Sequence, residues 1–222
     1  MIPNEETSSR PPLTKERVLQ AAMDLADQDG LGALTMRRLG AELGVEAMSL
    51  YKHVANKDEI LEGIIERVVG KIEIPSSEAG WKEAMRQRAI SAREVLGRHS
   101  WAIGLFEARG SRGPSVQRYL NAILGSLRAG GFSVENAGYA FSLLDSYVYG
   151  HVIQESSMPF GTPDDATEST ESLVERVTAE EYPHLAEIGE HALTSGFTFD
   201  NAFEYGLGLI LDALETATSP GV

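Results

Sequence analysis

The chain has 222 residues, of which 42% are hydrophobic and 23% are charged, and its formal net charge is -14. This composition is typical of a globular protein and allows one large domain or a small domain with a larger one. The absence of cysteine excludes disulfides and thiolate metal sites, and no apolar run approaches the roughly 20 residues of a membrane helix. Acidic residues stand where a secretory signal has its basic region, so we expect a cytoplasmic protein with no membrane partner.

The acidic residues are distributed unevenly along the chain. Residues 1–57 contain seven Lys or Arg and eight Asp or Glu, a net charge of -1. That leaves twelve basic and twenty-five acidic residues, a net charge of -13, for residues 58–222. Nucleic-acid binding depends on cationic side chains that contact phosphates. A nucleic-acid partner is therefore compatible with this sequence only if the first segment provides the contacts.

Four helices are predicted near the N-terminus, after residues 1–13, whose three prolines indicate a flexible arm. Thr14, Thr35 and Asn56 are suited to cap the first, second and fourth of these helices, and Glu59 completes a capping box with Asn56. The predicted spans are 14–28, 35–43, 46–54 and 56–73. No run of alternating β-branched residues predicts a strand.

Six further helices are predicted after a polar boundary at residues 73–80. Their predicted spans are 80–97, 100–108, 114–129, 133–156, 180–194 and 198–217. The polar, acidic segment 156–178 contains two prolines and is predicted to be a mobile loop. The expected fold is all-α.

The second and third helices have the size and spacing of a helix-turn-helix. Leu39 and Leu43 form an apolar stripe on the second helix, and Gly44 provides the small residue that the turn needs. Leu50 and Val54 stand at i and i+4 on the third helix, so they anchor it to the core. The remaining positions of the third helix face outward, with Tyr51 at the flank: Ala47, Met48, Ser49, Lys52 and His53.

This outward surface has the chemistry that entry into the DNA major groove requires. Ala47 and Met48 suit thymine methyl groups, and Ser49 suits a base or a phosphate. The side chains suited to phosphates are Tyr51, Lys52, His53, Lys57 and the hydroxyl of Thr35. Arg37 can reach a guanine edge. Each of these residues also has an ordinary structural explanation: Thr35 could serve only as a helix cap, and each basic residue could be a solvated surface side chain. Their spacing over three adjoining helix starts nevertheless favours a DNA-binding unit.

The stretch "ALTMRRLGAELGVEAMSLYKHVANKDEILEGI" resembles the N-terminal domain of the TetR (tetracycline repressor) family over residues 14–70. Residues 130–155 and 203–215 resemble the C-terminal domain of the same family. The resemblance implies an all-α homodimer in which a three-helix head reads operator DNA. It also implies a larger helical body that binds a small-molecule effector and thereby releases the operator. We accordingly expect a DNA-binding domain at residues 14–60 and an effector-binding and dimerisation domain at residues 61–222.

The body contains two helices, 133–156 and 198–217, that are apolar on more than one side, so they form either a monomer core or, as the resemblance implies, a dimer interface. The candidate effector-binding residues are Trp101, Phe106, Arg109, Tyr147 and His151. Tetracycline repressors hold a magnesium-bound drug with a histidine in the helix that corresponds to "AIGLFEAR", where this chain has Phe106 and Glu107. We therefore expect a different, more apolar effector. We assign no metal-binding residues and no cofactor, and whether a metal accompanies the effector stays open.

Other functions remain open at this point. An enzyme would need a nucleophile with a base, a metal cluster or a phosphate-binding loop, and no such motif is present, so we expect that the chain is not an enzyme. An architectural DNA-binding protein without a ligand needs much less chain than this body. An activator of the same fold is an alternative to a repressor.

Overall fold

The computed structural model describes residues 12–74, 80–109, 113–157, 180–195, 198–216 and 218, without the side chains of Arg109 and Ser195. The regular structure of these ranges is helical and contains no strand, which confirms the predicted all-α fold. Three predictions lie wholly or largely outside the described residues: the N-terminal arm, the boundary at 73–80 and the mobile loop at 156–178.

The described ranges contain ten α-helices and a short 3-10 helix at Leu31–Ala33. The α-helices are α1 (Lys15–Asp29), α2 (Met36–Leu43), α3 (Ala47–Leu50), α4 (Lys57–Val69), α5 (Gly80–Arg98), α6 (Trp101–Arg109), α7 (Pro114–Ala129), α8 (Val134–Ser157), α9 (Pro183–Ser195) and α10 (Phe199–Thr216). Most of these bounds agree with the predicted helices within three residues.

The chain folds into two compact units. The first contains α1–α4, α6 and the start of α7 up to Gln117; the second contains α5, α7 from Arg118, and α8–α10. These units are defined by packing alone. The functional division at residues 14–60 and 61–222 therefore stays a prediction.

Side-chain caps fix where the helices of the first unit begin. The Thr14 Oγ1 atom accepts a hydrogen bond from the Arg17 N–H at 3.2 Å, and Thr35 Oγ1 accepts one from the Arg38 N–H at 3.2 Å. Asn56 Oδ1 accepts from the Glu59 N–H at 2.9 Å. All three predicted caps are confirmed. The Glu59 carboxylate accepts from the N–H of residue 55 at 2.6 Å, one position earlier than an ideal capping box requires.

The turn between α2 and α3 depends on two glycines. Gly44 ends α2 with φ of 63°, in the left-handed region that glycine adopts at little cost. The Val45 N–H donates to the Gly40 carbonyl at 2.8 Å. A Cβ atom at Gly40 would lie 2.8 Å from the Val45 carbonyl oxygen and 3.2 Å from the Ala47 nitrogen. A side chain at position 40 is therefore incompatible with this close approach.

The predicted third and fourth helices are both longer than the observed ones. α3 comprises only Ala47–Leu50, because the following N–H groups of Lys52 and His53 bond to carbonyls three residues earlier, at 3.4 and 2.9 Å. These bonds form a tighter, 3-10-like turn instead of further α-helix. α4 ends at Val69 rather than near residue 73, since the chain again turns by an i to i-3 bond, from Lys71 to Val68 at 3.0 Å.

A carboxylate of α4 binds the N-terminus of α7 within the first unit. Glu66 Oε2 accepts from the Ser115 N–H at 2.8 Å, and Glu66 Oε1 accepts from the Val116 N–H at 3.2 Å. An anion at this position satisfies two N–H groups that have no partner inside the helix and complements the helix dipole. The C-terminal part of α4 is thereby attached to α7.

In the second unit, α8 packs against α5 and α10. The buried apolar residues of α8 and α10 are Ala137, Ala140, Leu144, Val148, Val152, Phe203, Leu207, Leu211 and Leu214. The same two helices also carry large apolar side chains that are between 45% and 76% exposed. We call five of these the α8–α10 apolar surface: Tyr139, Leu143, Ile153, Tyr205 and Leu209.

Candidate nucleic-acid interface and ligand-binding region

α3 and the turn that follows it bury the two predicted anchors and expose some of the predicted outward residues. Leu50 and Val54 are fully buried and hold the helix against the first unit. Met48 is 74% exposed and Tyr51 is 45% exposed, and Lys52 is exposed beside them. The other predicted DNA-facing residues of this segment are half-buried: Ala47, Ser49 and His53. α3 thus combines a buried anchor with an outer surface that can approach another molecule closely.

The predicted contacts outside α3 lie at the starts of two neighbouring helices. Thr35 caps α2 and is exposed, and its hydroxyl, which accepts from a backbone N–H, still has its own proton to donate. Arg37 is exposed in the first turn of α2, and Lys57 is the exposed first residue of α4. A helix N-terminus with free donors favours an anion.

The basic side chains of this unit fall into two groups. Lys15 forms an ion pair with Glu59, and Arg38 forms one with Asp29. Among the described residues, by contrast, no acidic group forms an ion pair with the predicted DNA contacts Arg37, Lys52 and Lys57. These three cations keep their charge available for an external anion.

The candidate effector-binding residues occur in both units. Trp101 and Phe106 lie on α6 in the first unit, where the Trp101 Nε1–H donates to Asp27 Oδ1 at 2.6 Å. The side chain of Arg109 lies outside the described part of the structure. Tyr147 and His151 lie on α8 in the second unit. Of these five residues, Tyr147 and His151 are therefore the pair brought together by direct packing.

Tyr147 and His151 lie one turn apart, with ring centroids separated by 6.2 Å. Both pack against Phe203 of α10, with centroid distances of 5.5 and 4.9 Å, and Tyr147 donates its hydroxyl proton to the Phe203 carbonyl at 2.9 Å. Burial and the nearby Arg93 guanidinium lower the pKa of His151 below its usual value. The imidazole is therefore neutral at pH 7, and it lies in an aromatic region bordered by the ion pairs of Arg93 with Glu155 and Asp200.

A buried polar cluster lies between α5, α7 and α8, and the sequence did not identify it. Arg88 is 1% exposed; its Nε–H donates to Tyr119 Oη at 2.6 Å, and its Nη2 group pairs with Asp145 Oδ1. The Tyr149 hydroxyl donates to Asp145 Oδ2 at 3.2 Å. We call these four residues the Arg88 cluster. One signal was available: position 88 lies four residues from both Ala84 and Ala92, on the apolar stripe of α5.

Charge stabilises this cluster in its ionic form. Burial alone lowers the pKa of Arg88, but the nearby Tyr119 and Asp145 outweigh it and raise that pKa above its usual value. Burial raises the pKa of Tyr119 and of Tyr149, and the Asp145 carboxylate adds to both shifts. The guanidinium is therefore charged and both phenols are protonated near neutral pH.

Two clefts open on the second unit. One has a volume of about 500 Å³ and lies between α5, α8 and α10, where Arg93 pairs with both Glu155 and Asp200. The other has a volume of about 460 Å³ and lies between Trp81 of α5 and the small side chains of α7. Neither is lined by the Arg88 cluster.

The described ranges contain no group of three or more His, Cys, Asp or Glu side chains placed to hold a metal ion. They also contain no helix with the length and apolar character needed to span a membrane.

Comparison with protein families assigns both parts of the chain. Residues 18–64 match the family described as bacterial regulatory proteins, tetR family, and residues 74–218 match the tetracyclin repressor-like C-terminal domain. The HTH-type transcriptional repressor DrrR1 of Streptomyces coeruleorubidus is 34% identical over 215 residues, which cover 93% of this chain and 78% of that protein. The class D tetracycline repressor protein of Escherichia coli is 29% identical over 148 residues, 64% of this chain and 66% of that protein.

Solved structures give the same assignment. ActR of Streptomyces coelicolor, in complex with actinorhodin, matches with a TM-score of 0.76 at 30% identity, over 94% of this chain and all of that chain. The helix-turn-helix at the N-terminus and the larger helical body therefore occur together in proteins of known structure. The chain belongs to the TetR family of bacterial regulatory proteins.

Proposed function

We propose that this chain is a cytoplasmic transcriptional repressor that binds a palindromic operator as a homodimer and releases it when a small molecule binds to its body. The observation that carries the DNA-binding part is the exposed surface formed by α3 and the starts of α2 and α4. On that surface Arg37, Lys52 and Lys57 have no ion-pair partner among the described residues. The repressor role is supported by the name of the relative DrrR1.

The assigned contacts divide into base readout and phosphate binding. Arg37 is long enough for a guanine edge, while Ala47, Met48 and Ser49 meet base edges and thymine methyl groups. The residues assigned to phosphates are Thr35, Tyr51, Lys52, His53 and Lys57. Base contacts set the preferred sequence, and phosphate contacts set the position of the protein and the salt dependence of its affinity.

The α8–α10 apolar surface supports a homodimer. Its five side chains would remain in water in a monomer, and exposed apolar side chains grouped in this way mark interaction sites. Two helices from each protomer then form a four-helix interface. A two-fold dimer also places two copies of α3 at the roughly 34 Å spacing of successive major grooves, which requires a palindromic operator.

A small-molecule effector is supported by two relatives. ActR is known in complex with actinorhodin, and another relative is named a tetracycline repressor. In this chain Tyr147 and His151 are the candidate ligand contacts that pack together. A ligand can release DNA only if it binds more tightly to the conformation that does not fit the operator. The attachment of Glu66 to the start of α7 gives α4 a direct connection to helices outside α1–α3.

The DNA-binding part is tested by fluorescence anisotropy with the intergenic DNA upstream of the gene, titrated at several stated salt concentrations against unrelated DNA. Arg37→Ala is expected to cost about 1–3 kcal/mol of binding free energy and to relax specificity at one base pair. Lys52→Ala is expected to weaken binding to all sequences and to reduce the salt slope by about one. The matched control is Arg38→Ala, which removes the same charge from the adjacent position, where Asp29 already neutralises it.

Two results would count against this proposal. If Arg37→Ala and Lys52→Ala bind as the native chain does, the assigned surface is not the DNA-binding surface. If deletion of the gene lowers rather than raises expression of a reporter under the upstream promoter, the protein is an activator and the repressor assignment is wrong.

A further inference from the structure

The larger cleft of the second unit contains more carboxylates than cations. We call it the acidic cleft; it has a volume of about 500 Å³ and lies between α5, α8 and α10. The charged side chains that line it are Arg93, Glu94, Arg98, Glu155, Asp200 and Glu204. These are four carboxylates and two guanidinium groups, and Arg86 of α5, which pairs with Glu204, raises the number of cations to three. The remaining excess of one negative charge favours a monovalent cation and disfavours an anion.

Two of these carboxylates remain accessible to a ligand. Asp200 contacts Arg93 at 2.7 Å through Oδ1, and its side chain is still 80% exposed. Glu204 contacts Arg86 at 3.0 Å through Oε2 and is 49% exposed. The two acids lie four residues apart on α10, so they share one face of that helix. Each can therefore accept a further hydrogen bond from an N–H group in the cleft.

A buried acceptor without a partner adjoins the same cleft. His151 is 8% exposed, and its Nε2 atom has no hydrogen-bond partner among the described residues. Burial lowers the pKa of His151 and the charge of Arg93 adds to this effect, while a hydrogen bond to the backbone of Phe199 opposes it. A bond that favours the protonated ring is one that the ring donates, so we assign it to Nδ1–H. The neutral ring then presents Nε2 as a buried lone pair that needs a donor.

The contacts of His151 place it beside the wall of the cleft. Its ring centroid lies 4.9 Å from that of Phe203, which lines the cleft. Val152 and Glu155 are the next residue of α8 and the residue one turn further on, and both line the cleft as well. The carboxylates of Glu155 and Asp200 act electrostatically on the imidazole. A ligand that fills the cleft therefore comes close to the unpartnered nitrogen.

From this arrangement we infer that the acidic cleft binds an organic ammonium ion, whose N–H groups donate to His151 Nε2 and to the Asp200 carboxylate. The apolar part of the ligand lies against Ile90, Val152 and Phe203, which also line the cleft. The inference goes beyond the proposed release from DNA, since it concerns binding alone. None of the lining residues belongs to the α8–α10 apolar surface, so the cleft is separate from the proposed dimer interface.

The test compares three probes of similar shape by isothermal titration calorimetry with the full-length protein at one stated salt concentration. The probes are 2-phenylethylammonium, which is a cation, 2-phenylethanol, which is a neutral donor, and phenylacetate, which is an anion. The ammonium ion is expected to bind at least about tenfold more tightly than the alcohol, because hydrogen bonds between charged partners are stronger than neutral ones. Phenylacetate is expected to bind no better than the alcohol, because the lining carboxylates repel it.

The variant Asp200→Asn removes one carboxylate of the cleft at an exposed position. It is expected to bind the ammonium ion about tenfold more weakly and the alcohol as the native chain does. The matched control is Asp212→Asn on the same helix. Asp212 is 70% exposed and pairs with Lys82 of α5, as Asp200 pairs with Arg93, but it lies outside the cleft. This control should retain the full preference for the ammonium ion.

The role of His151 is measured in the native chain through the ¹⁵N resonance of Nε2. A bare imidazole nitrogen shifts upfield when it accepts a hydrogen bond, so 2-phenylethylammonium should shift this resonance and phenylacetate should not. The variant His151→Phe keeps an aromatic ring but removes the acceptor, so it should bind both the ammonium ion and the alcohol more weakly. If this variant does not fold, the resonance alone decides whether Nε2 accepts from the ligand.

Several outcomes would overturn the inference. Equal binding of the ammonium ion and the alcohol, or no binding of either at about 1 mM (on the order of the weakest affinity that a specific site gives), removes the ammonium site. A full preference in Asp200→Asn shows that the ion binds elsewhere, and an unmoved Nε2 resonance shows that this nitrogen accepts from an ordered water only. Tighter binding of phenylacetate makes the cleft an anion site. Because these measurements contain no DNA, a failure of operator binding would be detected separately.

Discussion

Replacement of Asp145 by asparagine tests whether charge holds the buried Arg88 cluster together. The substitution keeps the size and an oxygen acceptor at position 145, but it removes the negative charge opposite a guanidinium that is 1% exposed. The remaining charge then has no counter-ion inside the protein. Removal of one partner of a buried ion pair typically costs about 3–5 kcal/mol. We expect Asp145→Asn to lower the free energy of unfolding by an amount in this range.

The assay is equilibrium unfolding in urea, followed by circular dichroism at one fixed protein concentration, because the proposed dimer would add to the apparent stability. With a slope of about 2–3 kcal/mol per molar urea, the expected loss lowers the midpoint by about 1–2 M. The double variant Arg88→Met with Asp145→Leu removes both charges and should recover most of this loss, since apolar replacements of buried ion pairs are often neutral or stabilising. The exposed control Glu215→Gln, which removes a partner of Lys82 at the surface, should leave the midpoint unchanged.

A midpoint shift smaller than about 0.3 M for Asp145→Asn would refute this reasoning, because it corresponds to less than about 1 kcal/mol. It would mean that water reaches the guanidinium and that the cluster is not dry. A double variant less stable than Asp145→Asn would refute it in another way, by showing that the polar groups hold the fold better than apolar side chains. Recovery in the double variant would instead show that the fold does not need the charged pair.

Three further predictions concern the turn, the dimer and the pH dependence of stability. Gly40→Ala places a Cβ atom 2.8 Å from the Val45 carbonyl oxygen of the following turn. Thermal unfolding should therefore show a stability lower by about 1–3 kcal/mol, and the affinity for the operator should fall. The control Gly32→Ala, whose Cβ atom would have nothing within 4 Å, should change neither quantity. Leu143→Asp places a charge in the proposed dimer interface and should give monomers in sedimentation velocity. The control Leu124→Asp, at an exposed leucine of α7 outside that interface, should stay dimeric at the same concentration. A dimeric Leu143→Asp would contradict the proposed interface. The pKa of His151 is lowered in the folded chain, so the unfolded chain binds more protons than the folded chain as pH falls below about 6.5. As pH falls, the free energy of unfolding should therefore decrease by up to about 1.4 kcal/mol per pH unit more in the native chain than in His151→Gln. If the difference between the urea midpoints of the two chains stays constant from pH 7 to pH 5, the histidine is not neutral in the folded chain.

The fold was largely predictable because it depends on local signals. Capping by Thr14, Thr35 and Asn56 and the left-handed residue Gly44 each act within a few positions of the chain, and all of them are observed. The apolar stripe of α4 is likewise buried as its period predicts. Local rules fail where competing hydrogen bonds differ little in energy. The end of α3 is such a place, since an i to i-3 bond and an i to i-4 bond both reach the carbonyl of Leu50.

The Arg88 cluster and the surroundings of the candidate ligand contacts were less predictable because they are assembled from distant segments. Arg88, Tyr119 and Asp145 are separated by 31 and 26 positions, and no local pattern indicates that they meet. An arginine on a helix is usually solvated, so sequence alone favours the surface for Arg88. Tyr147 and His151 could be paired from sequence because they lie four residues apart on one helix. Their common contact with Phe203 required the packing of α8 against α10.

In the proposed function, the uneven charge of the chain has a consequence for release from DNA. Residues 58–222 carry a net charge of -13, which repels phosphates, whereas Arg37, Lys52 and Lys57 have no ion-pair partner among the described residues and would attract them. The attraction that is independent of DNA sequence is therefore weak, and binding at physiological salt depends on the full set of base and phosphate contacts being made at once. A coupling free energy of about 1–3 kcal/mol between effector and operator then lowers the affinity about 5- to 150-fold. Because little non-specific affinity would retain the protein on DNA, a change of that size would suffice for the proposed release.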